Sequence, residues 1–139
     1  MQAGIALRKF ERHRRLWDLA LVALGEVDPA FATEMTALAV THNFVGSPHI
    51  DKQNTGPFYG LSLGDFPRGT GGVRVECSAR VVCEVDTKGR LGKVDGRYPH
   101  WVGPYDAEGC ERWSLIFYRT SGVADVVGPA VFAVPVVQL

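Results

Sequence analysis

Cysteine is scarce in this chain: Cys77, Cys83 and Cys110 are its only three, and no Cys-x-x-Cys occurs. An odd count without metal-ligand spacing argues against a disulfide scaffold or a zinc finger. With no signal peptide ahead of these residues, it predicts reduced thiols in an intracellular protein, nuclear or cytoplasmic being left open. An excess of either charge is lacking too. Fifteen Lys plus Arg balance fifteen Asp plus Glu, so the formal net charge is zero, and no overall positive field holds nucleic acid or an anionic membrane. Any such partner needs a local patch. Long hydrophobic runs are also missing. The apolar tail from Val126 to Leu139 is broken by Pro129 and Pro135, well short of a membrane span, which excludes a membrane protein.

What is present fits a soluble globular domain: 139 residues, 46% hydrophobic and 22% charged, enough for one core and little more. No internal repeat or interdomain linker is visible, so residues 1–139 read as a single domain, with a helical support over 1–40 and a β core over 41–139. From about Ala3 to Leu24, Leu7, Phe10, Trp17, Leu21 and Leu24 recur at helical intervals. Arg8, Lys9, Arg12, Arg14 and Arg15 crowd the remaining surface, which predicts one amphipathic helix stopped near Gly25. Asp28-Pro29 reads as an N-cap followed by proline at the first helical position, with a second helix over Ala30 to Val40.

Beyond Thr41 the texture changes to short alternating runs punctuated by glycine and proline. Strands are predicted at Ala39–Phe44, Phe58–Leu63, Val73–Cys77, Val81–Asp86, Gly92–Val94, His100–Val102, Trp113–Tyr118, and near Val131–Val137. Such short, closely spaced strands make a sandwich or barrel.

Of four histidines, two sit in settings that can do chemistry. In Ser47-Pro48-His49-Ile50-Asp51, an extended backbone puts His49 and Asp51 on one face, because side chains alternate with period two. That pair can chelate one metal, and His100, at the head of another strand, can supply a third ligand. Two histidines and one carboxylate form the facial triad of non-haem Fe(II) oxygenases, which leaves positions open for a cosubstrate and O2. In Glu111-Arg112-Trp113-Ser114-Leu115-Ile116, the same period places Arg112, Ser114 and Ile116 together. An inward arginine calls for an anion, and its planar fork fits a carboxylate such as the distal one of 2-oxoglutarate, with Ser114 adding a hydrogen bond.

The same residues admit plainer roles. A His-x-Asp triplet arises by chance in many proteins. His100 is equally compatible with an imidazole held by a backbone carbonyl, and Arg112 with a structural ion pair to Glu84 or Asp95. His13 and His42 read as non-ligands. Trp101, Trp113, Phe117 and Tyr118 read as core rather than substrate platform, and the cysteines as small core residues.

Taken in order, the motifs resemble the Fe(II)/2-oxoglutarate-dependent dioxygenases, and more narrowly their TET/JBP-like branch. The carriers are Pro48-His49-Ile50-Asp51-Lys52-Gln53-Asn54-Thr55-Gly56-Pro57, Leu63-Gly64-Asp65-Phe66, Gly71-Gly72 and Glu111-Arg112-Trp113-Ser114-Leu115, covering roughly residues 39 to 120. The resemblance implies a mainly β fold with N-terminal helices, its core a double-stranded β-helix of the jelly-roll, cupin-like kind. It implies His49, Asp51 and His100 as catalytic metal ligands, Arg112 and Ser114 as the 2-oxoglutarate anchor, and Asn54 beside the substrate base. The run Asp95-Gly96-Arg97-Tyr98-Pro99-His100-Trp101-Val102 departs from animal members, and their large nucleic-acid-binding inserts have no room here.

The function so implied is hydroxylation of a C–H bond with Fe(II), 2-oxoglutarate and O2, on the methyl group of a 5-methylpyrimidine in nucleic acid. DNA is the partner this calls for, with the Arg8 to Arg15 face as its phosphate contact. The alternatives are an oxygenase for a small molecule or a protein side chain, and a β-barrel binding module that keeps the metal residues without turnover. Ascorbate in place of 2-oxoglutarate stays open, since Arg112 would accept several anions. Oligomeric state, substrate and product oxidation level are not legible.

Overall fold

A computed structural model describes residues 2–135, with side chains from Leu7 onward. Two compact units emerge, one comprising the segment up to Glu34 and the other Met35–Pro135.

The first unit holds three helices: α1 (Gln2–Arg12), α2 (Arg14–Val27) and α3 (Pro29–Glu34). The single helix expected from Ala3 to Leu24 is thus two, parted at His13, whose φ of −110° and ψ of 19° leave helical geometry. This break falls among Arg12, Arg14 and Arg15, where like charges one turn apart repel. Gly25 is not the stop. The helix runs on to Val27 and ends at Asp28, which sits at φ −144° and ψ 83°, because the residue before a proline is pushed out of helical space. Asp28 then caps α3: its Oδ1 accepts the Phe31 N–H at 2.9 Å, with Pro29 at the first helical position. Ala20, Leu24 and Phe31 are buried, whereas Leu7 is 58% exposed, so the apolar stripe is covered only toward its C-terminal end.

The second unit is a β-sandwich. Its strands are β1 (Ala37–His42), β2 (Phe58–Gly64), β3 (Val73–Ser78), β4 (Val81–Val85), β5 (Gly92–Val94), β6 (His100–Val102), β7 (Arg112–Tyr118) and β8 (Val131–Phe132). They form a larger sheet in the order β1-β7-β2-β5-β8 and a smaller one, β4-β3-β6, with every pairing antiparallel. Residues 37 and 38, expected as helix, are strand, and Ala39 and Val40, where the helix and strand expectations overlap, are strand too. Ala37 faces Tyr118 and His42 faces Trp113 along an unbroken register, and those long-range hydrogen bonds override a weak helical pattern. The last strand was expected to reach Val137; it is described as far as Phe132, and Val136 and Val137 lie outside the described residues.

Phe58 and Val94 of the larger sheet, Val75 of the smaller one, and Ala130 make the core, ringed by Val73, Val85, Ile116 and Tyr118 among others. Each large side chain buried here contributes about 1.5–3 kcal/mol. Trp113, expected in the core, is 46% exposed, whereas Phe117 is fully buried. All three cysteines are free and half-buried; Cys77 packs against the core as expected. Among the described residues no helix is long and apolar enough to cross a membrane.

Candidate functional site

His49, Asp51 and His100 converge although 51 positions separate the first from the last. His49 and His100 form an antiparallel bridge: the His49 N–H donates to the His100 carbonyl at 3.1 Å, and the His100 N–H to the His49 carbonyl at 3.0 Å. Their rings therefore stand side by side, centroids 4.4 Å apart. Asp51 follows two residues after His49, on the same face, and lies between them. Its Oδ1 is 3.5 Å from His49 Nε2 and its Oδ2 is 3.4 Å from His100 Nε2. One ligand atom from each residue falls within a 4.8 Å circle.

The remaining ring nitrogens settle the tautomers. His49 Nδ1 donates to the Ser47 carbonyl at 3.0 Å, and His100 Nδ1 donates to the Tyr98 carbonyl at 2.9 Å. Each Nδ1 thus keeps its proton and each Nε2 faces Asp51, the arrangement in which outer-shell carbonyls orient metal-binding imidazoles. Burial pushes the His100 pKa down, but the Asp51 hydrogen bond, the Tyr98 carbonyl and the charges of Asp51 and Asp95 outweigh it, and the net shift is upward. A cation at this place would take over the role of that proton.

Asp51 itself is fixed from three sides. Its N–H donates to the Gly96 carbonyl at 2.7 Å. Asn54 Nδ2 donates to its Oδ2 at 3.2 Å, so the Asn54 amide, expected beside the substrate, is engaged with a metal-site carboxylate. A Cβ at position 96 would stand 2.5 Å from Asp51 Oδ2; glycine there is a matter of room.

The triad opens on a cavity of about 560 Å³, at whose lining stand His49, Asp51, Asn54, His100, Arg112 and Ser114 together. Arg112 is 2% exposed. Neither of its two suspected carboxylate partners reaches it: Glu84 pairs with Arg74 and Asp95 with Arg97. Its guanidinium lies instead beside the rings of Phe66 and Tyr105, 5.5 and 5.4 Å from their centroids, which are themselves 6.1 Å apart. Its NH1 donates to Ser114 Oγ at 2.5 Å, its NH2 to Ser62 Oγ at 2.9 Å, and Nε and NH2 both to the Gly71 carbonyl. Gly71 has φ +65° and a Cβ there would meet Arg112 Nε at 3.0 Å, so the turn needs glycine for both conformation and space. Burial pulls the Arg112 pKa down, and only Tyr105 opposes it. A buried cation without an acidic partner among the described residues, at the wall of a cavity, can receive an anion.

His42 is no ligand: its Nε2 bonds Glu111 and its ring stacks on Trp113 at 4.3 Å. His13 lies in the helical unit. Trp101 and Tyr118, read as core, line the cavity. Ser62 and Thr87 were passed over altogether. They carry no motif: the β2–β7 pairing brings Ser62 to Arg112, and the folding of the 87–89 turn onto β2 brings Thr87 to Ser62.

The donor set is that of a 2-His-1-carboxylate metal site. Comparison with known protein families, with curated proteins and with solved structures yields no match.

Proposed function

We propose that this chain is a non-haem Fe(II)/2-oxoglutarate-dependent oxygenase of the TET/JBP-like kind, hydroxylating a C–H bond. One observation carries the reading: a 2-His-1-carboxylate cluster and a buried arginine without an acidic partner open on the same cavity. Each alone has ordinary explanations. Together they provide one place for a divalent cation and another for the far end of a dicarboxylate.

The double-stranded β-helix finds support in the strand order. Counting the His49–His100 bridge as a one-residue strand beside β6 gives two sheets, β1-β7-β2-β5-β8 and bridge-β6-β3-β4, between which the chain crosses repeatedly. Repeated crossing of this kind supports the jelly-roll reading.

The donor set fits iron: two imidazoles whose Nε2 atoms face one carboxylate, on one side of an open cavity, leave room for further ligands. Bound Fe(II) would supply O2 activation coupled to decarboxylation of 2-oxoglutarate to succinate. The chain's own residues do the rest. Ser47 and Tyr98 carbonyls hold the imidazole protons away from the metal face, Asn54 and the Gly96 carbonyl hold Asp51, and Arg112 with Ser114 holds the carboxylate. Phe44, Ile50, Phe58 and Leu115 make the cavity wall apolar, which limits water at the reacting centre.

For the substrate, we favour the methyl group of a 5-methylpyrimidine in nucleic acid, with exposed Arg12 and Arg15 as phosphate contacts. One observation favours a free small molecule instead: apart from the histidines, Lys52 and Arg112 are the only basic residues lining the cavity, and flipped-base enzymes need a cationic surround. The deciding experiment has two arms. Succinate formation from 2-oxoglutarate with Fe(II) and ascorbate is expected in the native chain and absent in His49→Ala; no succinate from the native chain overturns the oxygenase reading. Binding of a methylated oligonucleotide at low salt is expected for the nucleic-acid substrate, and its absence assigns the small-molecule one.

A further inference from the structure

We propose that Ser62 and Thr87 are specificity-determining residues of the anion seat, presenting to the bound carboxylate one O–H donor that the two hydroxyls share. The inference rests on reading the cavity as a cosubstrate site and adds two residues to it.

Both side chains are 2% exposed and both line the cavity. Their position is set by backbone: the Ser62 N–H donates to the Thr87 carbonyl and the Gly89 N–H to the Ser62 carbonyl, each at 2.8 Å. The 87–89 turn is thereby clamped against β2, and Ser62 Oγ lies 2.7 Å from Thr87 Oγ1. On the opposite side Ser62 faces Ser114 across the β2–β7 register.

Counting hydrogens shows what the pair can offer. A guanidinium only donates, so Ser62 Oγ and Ser114 Oγ both accept from Arg112,. The Ser62–Thr87 pair carries two O–H hydrogens, and their mutual bond consumes one. One remains for a ligand, whichever of the two is the donor inside the pair. Ser114 keeps its own hydroxyl hydrogen as well. The seat therefore offers two O–H donors and one positive charge, while Asp51 is the only acid among the lining residues. A single carboxylate, with two oxygens and one negative charge, satisfies that inventory. Because Arg112 withdraws density from both serine oxygens, their hydroxyls are stronger donors than isolated ones.

The consequence is redundancy. Losing one hydroxyl frees the other's hydrogen from their mutual bond, so a donor for the ligand survives, and only the loss of both removes it. The test is calorimetric titration of Co(II)-loaded protein with 2-oxoglutarate, glutarate and ascorbate. Thr87→Val and Ser62→Ala are each expected to weaken 2-oxoglutarate binding only about twofold, through loss of mutual polarisation, and the double variant more than about tenfold, beyond the product of the single losses. Co(II) affinity is expected to be unchanged throughout and verifies that each variant is folded. A single variant as weak as the double one, single losses that multiply to the double loss, or a double variant of native affinity each overturn the proposal. If the native chain binds glutarate but not 2-oxoglutarate, and the variants show the same pattern toward glutarate, the seat stands and the cosubstrate reading falls; binding of ascorbate alone overturns the carboxylate seat. Binding of none of the three overturns both.

Discussion

The Asp51 amide and the Gly96 carbonyl meet at 2.7 Å, which brings the Asp51 carboxylate so close to the Gly96 α-carbon that a methyl group there would stand 2.5 Å from Oδ2. The segment before His100 is thus a wall of the metal site as well as the route to its third ligand. Gly96→Ala is expected to push Asp51 out of line and lower Co(II) affinity by more than tenfold, at a stability cost of about 1–3 kcal/mol from overpacking against Phe58. Unchanged Co(II) affinity, measured by optical titration, would show that Asp51 has freedom to move.

Removing a ligand acts on the metal directly. His49→Ala and Asp51→Ala each leave two donors, and the affinity for Co(II) is expected to fall at least 100-fold, beyond the 10–100-fold that loss of an outer-shell partner costs. Asn54→Ala, which releases one hydrogen bond to Asp51, is expected to fall within that smaller range. A variant lacking His49 that still binds Co(II) at native strength would remove His49 from the site.

Arg112→Met keeps much of the bulk beside Phe66 and Tyr105 and deletes the charge. At a 2-oxoglutarate concentration 100 times its dissociation constant, the native chain gains about 2.7 kcal/mol of stability by mass action. The variant is expected to gain none, with Co(II) affinity intact. Thermal melts with and without the ligand decide it; equal stabilisation of both proteins assigns the anion seat elsewhere.

Asp95 supports the approach to His100 and sets an acid limit on stability. It is 1% exposed and accepts from the Arg97 backbone and guanidinium, the NH2 contact being 2.7 Å. Burial alone would raise its pKa, but those bonds and the Arg97 charge outweigh it, and the net shift is downward. With the folded value depressed, the pair's stabilisation is complete above the unfolded carboxylate value of about 3.9 and is lost as pH falls from there through the folded value. Asp95→Asn is expected to cost about 3 kcal/mol at pH 7, since Arg97 is left without its partner. The gap between variant and native chain is expected to narrow below about pH 4. Urea unfolding at pH 7 and pH 3 measures both, and a gap independent of pH would contradict the ionic account.

The local rules succeeded where a short stretch of chain carries its own instruction. Period-two alternation placed Gly92–Val94 and His100–Val102 at their observed bounds, and put His49 beside Asp51 and Arg112 beside Ser114, because an extended backbone alternates faces whatever surrounds it. Asp28-Pro29 was legible for the same reason, as capping and the proline restriction act within four residues.

Tertiary structure alone decided the rest. Residues 37–40 became strand because β7 was there to pair with them. Asn54 turned to Asp51, Arg112 found two rings rather than a carboxylate, and Ser62 met Thr87. Each outcome depends on which distant segment arrives, and hydrogen bonds and desolvation act over ångströms in space without regard to separation along the chain. Sequence by itself determined which side chains could take part in such a site; the closing of one sheet over the other determined which of them did.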